Sequence, residues 1–311
     1  IDKTNPRLDF NQVVQIKDKS VGLGHGAFLI AEIGLNHNGS MSMAKKLIDE
    51  AILAGADAVK LQSYKTKYRV AEHGKTSRYV EKVLGVEETD YEMLKKNELS
   101  KEQTIELFNY AKERTIIFSA PFDLESADEL EEIGVDCYKI ASFDLVNLPL
   151  IRKVASTLKP IIISTGMSYL SEVQDALMEV AKCGNPNLIL MQCTSSYPCP
   201  PETMNIKAID TMKQAFNNLP VGISDHVIGD MVSIGAVARG ADIIEKHFTL
   251  DKKMEGPDHI LSMLPKEFSD MKERVRIVEK SIGDGIKQPS SSEIASIIRF
   301  RKTMYAKNKI K

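Results

Sequence analysis

Two short runs end in histidine, Gly222-Ile223-Ser224-Asp225-His226 and Glu245-Lys246-His247. If they close neighbouring parallel strands, roughly 4.8 Å apart, their imidazoles can share one divalent ion and leave its other positions to water and substrate. Such ligands must be unprotonated, so affinity is expected to fall as pH drops through about 6.5. A single strand-end histidine is more often a hydrogen-bonded structural residue; the pair carries the argument. His37, in Asn36-His37-Asn38-Gly39, is a third candidate ligand that could equally orient its loop, while His25, His73 and His259 read as surface or loop residues. Lys60 and Lys139 sit inside apolar runs whose alternation points them inward, and a buried ammonium needs an anion. With Ser142, Ser164, Thr165 and Ser224 at neighbouring run ends, the pair suits phosphate, the lysines giving charge and the hydroxyls directed hydrogen bonds. The opposing reading is salt-bridged lysines and helix-capping serines. Glu32 closes Phe28-Leu29-Ile30-Ala31-Glu32, so that a core strand delivers an acid to whatever lies at its end.

An ordered set of strands is what could bring these residues together. From residue 27 onward, β-branched runs alternate with longer stretches of helical periodicity, the pattern of parallel strands joined by crossover helices. Eight such runs are readable: AFLIAE to Glu32, DAVKLQ to Gln62, TIIFS to Ser119, CYKIAS to Ser142, PIIIST to Thr165, NLILMQCT to Thr194, PVGIS to Ser224 and DIIEKHF to Phe248. In LSEVQDALMEVAKCG, Leu170, Val173, Leu177 and Val180 form a core stripe and Gly184 a C-terminal stop. Another helix, MKERVRIVEKSIG, closes at Gly283. Eight such units over roughly 250 residues predict a closed (β/α)8 TIM barrel, with its active site at the C-terminal mouth of the strands. An open doubly wound sheet fits less well, because no GxGxxG turn follows the first run and polar residues gather at nearly all the run ends. The barrel is placed at 27–286, after a segment, 1–26, whose strand-like QVVQI is expected in a hairpin across the barrel bottom. The charged stretch 63–100 reads as a lid or side wall.

Composition narrows the partners. A formal net charge of −2, with no basic stripe or RNA-type aromatic motif, argues against nucleic acid. No apolar run approaches the roughly 18 residues a bilayer needs, and IDKTNPRLDF lacks a signal-peptide pattern, so neither membrane insertion nor secretion is expected. Cys137, Cys183, Cys193 and Cys199 form no CxxC pair, which suits a reducing cytoplasm.

The stretches AEIGLNHNG, VKLQ, KIAS, ISTGM, CTSSYP, GISDH, EKHFT and EGPDH, in that order between residues 26 and 286, resemble the sialic acid synthases. These enzymes condense phosphoenolpyruvate with an N-acylated aldose to give nine-carbon 2-keto acids. The resemblance implies that Lys60, Lys139, Ser142, Ser164 and Ser224 hold phosphoenolpyruvate, and that His226 and His247 bind a divalent metal, commonly Mn2+, with Co2+, Zn2+ or Mg2+ also accommodated. It further implies that Glu32 and Asp258 act near the reacting carbons, that Gln62, Phe122, Asp144, Ser195 and Tyr197 face the sugar, and that the chain forms a homodimer. Members using N-acetylmannosamine often read Gly-Ser-Gly-Glu where this chain has Ala141, Ser142, Phe143 and Asp144, and often carry Asn in place of Ser195. Here the chain looks more like the pseudaminic, legionaminic and spore-coat sugar branches. Family members continue through a linker into a small antifreeze-like domain; residues 287–311 match the start of that linker. The alternatives are a synthase using an unacylated sugar phosphate, a Schiff-base aldolase through Lys139 or Lys246, and a non-catalytic sugar-binding barrel.

Overall fold

A computed structural model describes residues 8–72 and 89–309. The central part of the expected lid, with His73, lies outside the described residues. Two short strands, β1 (Val13–Ile16) and β2 (Lys19–Gly22), are followed by β3 (Phe28–Glu32), β4 (Ala58–Ser63), β5 (Ile116–Pro121) and β6 (Tyr138–Ile140). Then come β7 (Ile161–Ser164), β8 (Leu188–Cys193), β9 (Val221–Asp225) and β10 (Ile243–His247). β3 to β10 are parallel and close into one barrel, with β10 pairing back onto β3. At least one helix follows each barrel strand, from Met41–Leu53 after β3 to Pro265–Ile282 after β10. The architecture is the (β/α)8 barrel.

Side chains of a strand alternate between faces, and here both faces are buried. Leu29, Ala31, Val59, Leu61, Ile161, Ile163, Leu188, Leu190, Val221 and Ile223 pack outward into the helix layer. Phe28, Ile30, Ala58, Ile116, Phe118, Cys137, Ile162, Ile189, Met191 and Ile243 fill the lumen. Two buried faces make the strands read as continuous apolar runs. One step of two residues further along five of the strands, the inward positions turn polar: Glu32 follows Ile30, Lys60 follows Ala58, Lys139 follows Cys137, Ser164 follows Ile162 and Glu245 follows Ile243. This register carries the chemistry-bearing residues to the mouth.

β1 and β2 form an antiparallel hairpin, and Val14, Ile16 and Val21 join the lumen cluster at the N-terminal end. Several expected limits move. β6 stops at Ile140, and Ser142 opens a short 3-10 turn, Ser142–Asp144; Thr165, Thr194 and Phe248 lie just past their strands. Leu170 is exposed, because it sits in the first turn of Leu170–Lys182 at the rim, while Val173, Leu177 and Val180 are buried as the periodicity requires. Cys183 caps that helix and Gly184 follows it with φ 76°. Residues 287–309 carry a 3-10 turn, Ser291–Glu293, running into a short helix, Ile294–Phe300, with no buried residue in either. Among the described residues no helix is long and apolar enough to cross a membrane.

Gly222 shows how tightly the lumen is drawn. A Cβ there would lie 2.0 Å from the Ile243 carbonyl oxygen, and backbone of a neighbouring barrel strand has little room to retreat. Gly222→Ala should therefore destabilise the protein by at least about 3 kcal/mol, read as a lowered denaturation midpoint; a midpoint equal to wild type would contradict this packing.

Candidate active site

The mouth opens on a cavity of about 320 Å³. Its floor is an ion network. Lys60 Nζ lies 3.2 Å from Glu32 Oε2 and 2.9 Å from Glu245 Oε2. Lys139 Nζ donates to Ser164 Oγ at 2.6 Å and lies 3.7 Å from Glu245 Oε1. Ser224 Oγ donates to Glu245 Oε1 at 2.8 Å, and Gly166 N–H donates to Ser142 Oγ at 3.1 Å. Glu245 is thus the common counter-ion of both lysines. Sequence reasoning set it at the mouth without giving it a role, although its parity with Ile243 and His247 was the available signal.

Charge and burial set the protonation. Burial pushes the Glu32 carboxyl up to about 7, against the pull of the Lys60 ammonium and with the Glu245 charge adding to the rise. Burial alone would raise Glu245 too, but the Lys139 and Lys60 ammoniums outweigh it and hold the carboxyl well below its usual range. Lys139 is lowered by burial to about 8, and burial raises Asp258 to about 6. A carboxyl poised near neutrality is suited to proton transfer.

Two residues beyond Ser224 and Glu245, at the ends of β9 and β10, the His226 and His247 rings stand 5.5 Å apart between centroids, with Tyr197 over His226 at 4.1 Å. His226 Nδ1 faces the Thr194 carbonyl at 3.0 Å. Nδ1 therefore carries the hydrogen, and the lone pair of Nε2 is left for a ligand. His247 Nδ1 is buried without a hydrogen-bond partner among the described residues, 3.8 Å from Asp258 Oδ2. Burial lowers His226 to about 4, and burial together with His226 lowers His247 well below its ordinary value. Two neutral imidazoles, one with an orphaned nitrogen, fit a divalent ion. Among the described residues no group of three or more His, Cys, Asp or Glu side chains is placed to hold one; oxygen ligands from water and substrate would complete the shell.

Glu32, Lys60, Lys139, Ser142, Ser164, Ser224, Gln62, Phe122, Tyr197, His226, His247 and Asp258 all line this one cavity. Other expected residues lie elsewhere. Asp144 is buried beside the Asn147 amide, and Ser195 Oγ is buried against Gly166, so neither lines the cavity. Of the sequence differences flagged at the acceptor side, Ala141 and Phe143 reach it, Phe143 stacked on Phe122 at 5.3 Å. Thr165 donates to the Met191 carbonyl. Lys246 has the outward parity of β10; its Nζ donates to the Val227 carbonyl at 2.5 Å and lies 3.3 Å from Asp225 Oδ2, away from the cavity. That placement removes Lys246 as a Schiff-base candidate. His37 Nδ1 accepts from Gly39 N–H and orients its own loop. His25 is exposed. His259 is fully buried rather than superficial, bonded to Thr249 Oγ1 at 2.7 Å and close to Asn38 Oδ1 at 3.3 Å, so it ties two mouth loops together. Arg69 and Cys193 also line the cavity and went unassigned from sequence. Arg69 sits in a charged run that reads as a solvated face, and Cys193 in an apolar run that reads as core.

The profile of the NeuB family matches residues 47–287. An N,N'-diacetyllegionaminic acid synthase of Campylobacter jejuni is 45% identical over 286 residues, 91% of this chain and 85% of that relative. The N-acetylneuraminate-9-phosphate synthase of Homo sapiens is 36% identical over 291 residues, 93% of this chain and 80% of that relative. The crystal structure of an N-acetylneuraminic acid synthetase from Leptospira borgpetersenii in complex with citrate superposes with a TM-score of 0.82 at 33% identity, covering 93% of this chain and 96% of that one. With the profile spanning most of the chain and named synthases matching nearly all of it, the protein belongs to the NeuB family of sialic, legionaminic and pseudaminic acid synthases.

Proposed function

We propose that the protein condenses phosphoenolpyruvate with an N-acylated aldose, using a divalent metal ion, to give a nine-carbon 2-keto acid and inorganic phosphate. The observation that carries this reading is the facing of two lysines and three serines, on the floor of one cavity, by a pair of neutral imidazoles. Lys60, Lys139, Ser142, Ser164 and Ser224 would hold the phosphate and carboxylate of phosphoenolpyruvate, bringing carbon 3 to the acceptor aldehyde. His226 and His247 would hold the metal, Mn2+ by resemblance, which as a Lewis acid polarises a carbonyl oxygen. As carbon 3 bonds to the aldehyde carbon, positive character develops at carbon 2; water adds there, its proton leaves, and phosphate departs as the ketone forms. Glu32, poised between its charged and neutral forms, is the group suited to take that proton and to stabilise the cationic carbon. The acceptor we infer carries acylamido groups, because the relatives 45% and 42% identical are both named N,N'-diacetyllegionaminic acid synthases. A cytoplasmic homodimer is part of the same reading. Its test is a panel of acylated hexosamines with phosphoenolpyruvate and Mn2+, read by phosphate release and product mass; no phosphate released with any of them would overturn it.

The buried imidazoles change what acid should do. Two ligands titrating at about 6.5 would together lose several hundred-fold in metal affinity between pH 7 and 5. His226, held to about 4, and His247, lower than its ordinary value, are already neutral across that range. Mn2+ affinity by calorimetry should therefore fall less than about tenfold from pH 7 to 5 and drop only towards pH 4; a several hundred-fold loss by pH 5 would show ordinary, solvated histidines.

A further inference from the structure

The cavity has two chemistries. Its floor is charged, but the side next to β4 and the helix Asp90–Asn97 is lined by Leu35, Val70, Met93, Leu94, Ala120 and Phe122. Four of these, Leu35, Leu94, Ala120 and Phe122, form a buried cluster with Tyr64, against which Val70 and Met93 pack. Arg69 stands at this wall. Its guanidinium carbon lies 4.0 Å from the Phe122 ring centroid, 4.8 Å from Tyr64 and 5.6 Å from Phe143. Among the described residues its one hydrogen bond is long, from Nη1 to Gln62 Oε1 at 3.4 Å, and no carboxylate is within ion-pair distance of it. Among the described residues, most of the five N–H donors of a guanidinium are thus left for a group that enters the cavity.

The surroundings decide what that is. A phosphate needs several donors around it, and among the described residues this side offers one cation amid aliphatic and aromatic side chains, with Asp90 also on the lining. A free amine would bring a second positive charge to Arg69. An acylamido group matches on both counts, its carbonyl oxygen accepting from a guanidinium and its methyl taking an apolar contact. We infer that Arg69 and the adjoining apolar wall recognise the acyl group of the acceptor, the guanidinium donating to the acyl oxygen and the methyl resting against Leu35, Val70 and Met93. The inference rests on the reaction proposed above and adds the residues that select its acylated substrate. Arg69 also touches Gln62, whose Nε2 donates to Glu32 Oε1 at 3.0 Å, so a bound acyl group is linked through one amide to the poised carboxyl.

The test uses the full chain with inorganic phosphate and Mg2+ in place of phosphoenolpyruvate and Mn2+, so that no turnover can occur and no paramagnetic ion broadens the spectrum, with N-acetylmannosamine and its N-propanoyl homologue as probes and phosphoenolpyruvate affinity measured separately. Saturation-transfer NMR should mark the acetyl methyl more strongly than the ring protons. Arg69→Met should weaken binding of the probe by roughly 10- to 100-fold, the range for losing a hydrogen bond from a charged donor, while phosphoenolpyruvate affinity stays within about twofold. Arg69→Lys, which keeps the charge without the planar fork, should recover part of the loss. Val70→Phe should exclude the N-propanoyl probe before the N-acetyl one. Absent methyl saturation, equal losses for sugar and phosphoenolpyruvate in Arg69→Met, or a loss confined to a 6-phosphorylated acceptor would each overturn the assignment. Because binding is read without turnover, methyl saturation that depends on Arg69 in a protein releasing no phosphate would count against the proposed reaction and leave the acyl pocket standing.

Discussion

Replacing either His226 or His247 by Gln should lower turnover by roughly 10³-fold, since a Lewis acid at a carbonyl is worth several kcal/mol of transition-state stabilisation. Glutamine keeps a polar side chain of similar reach but offers no imidazole lone pair. Phosphoenolpyruvate binding should persist, because its proposed ligands stand on β4, β6, β7 and β9 and the turn after β6. Chelation should give the same loss without unfolding, since the lumen and the helix layer each close with apolar side chains and neither cluster includes the two histidines. Turnover surviving in chelator, or wild-type rates in either variant, would return the two rings to a structural role.

Lys60→Met should weaken phosphoenolpyruvate by roughly 2–5 kcal/mol, the range for removing one partner of a desolvated charge pair, and should also destabilise the empty protein. The second effect follows from the network, because Lys60 is the cation shared by Glu32 and Glu245. Without it two buried carboxylates face each other, and breaking a buried pair costs about 3–5 kcal/mol. The double replacement Lys60→Met with Glu245→Gln should recover much of the stability and none of the affinity. Lys139→Met should weaken phosphoenolpyruvate comparably with a smaller stability loss, since its contact with Glu245 is the longer one and its main partner is the neutral Ser164 hydroxyl. Calorimetric titration and denaturant unfolding separate the two effects; unchanged affinity in both single variants would make these lysines internal salt bridges and nothing more.

What could be read in the amino acids was whatever the period-two rule governs. Strands buried on both faces appear as apolar runs, and a lysine or acid spaced two residues from a lumen side chain must share its direction, which is why Lys60, Lys139 and Glu32 could be placed before any coordinates. The same rule applied to β10 would have turned Lys246 away and brought Glu245 in, but its EKH run offered three polar residues and parity was not used to choose among them. Contacts made through space by loops left no comparable trace. His259 looks like a loop residue until the loops after β3 and β10 meet around it, and Arg69 looks solvated until Phe122, just past the end of β5, comes under its guanidinium. Ser195 and Asp144 neighbour cavity residues in the chain, yet neither lines the cavity.

The hairpin of β1 and β2 has a kinetic corollary. With Val14, Ile16 and Val21 stoppering the N-terminal end of the barrel, the described residues leave the cavity no passage through the lumen, and it is reached from the mouth. Lys139 and Ser164 lie at its bottom on β6 and β7, whereas Phe143 is half exposed at its lip. If phosphoenolpyruvate seats on the lysines and the acceptor beside Phe143, as proposed, the two should load in order, the anion first, and an acceptor bound too early should act as a dead-end inhibitor competing with phosphoenolpyruvate.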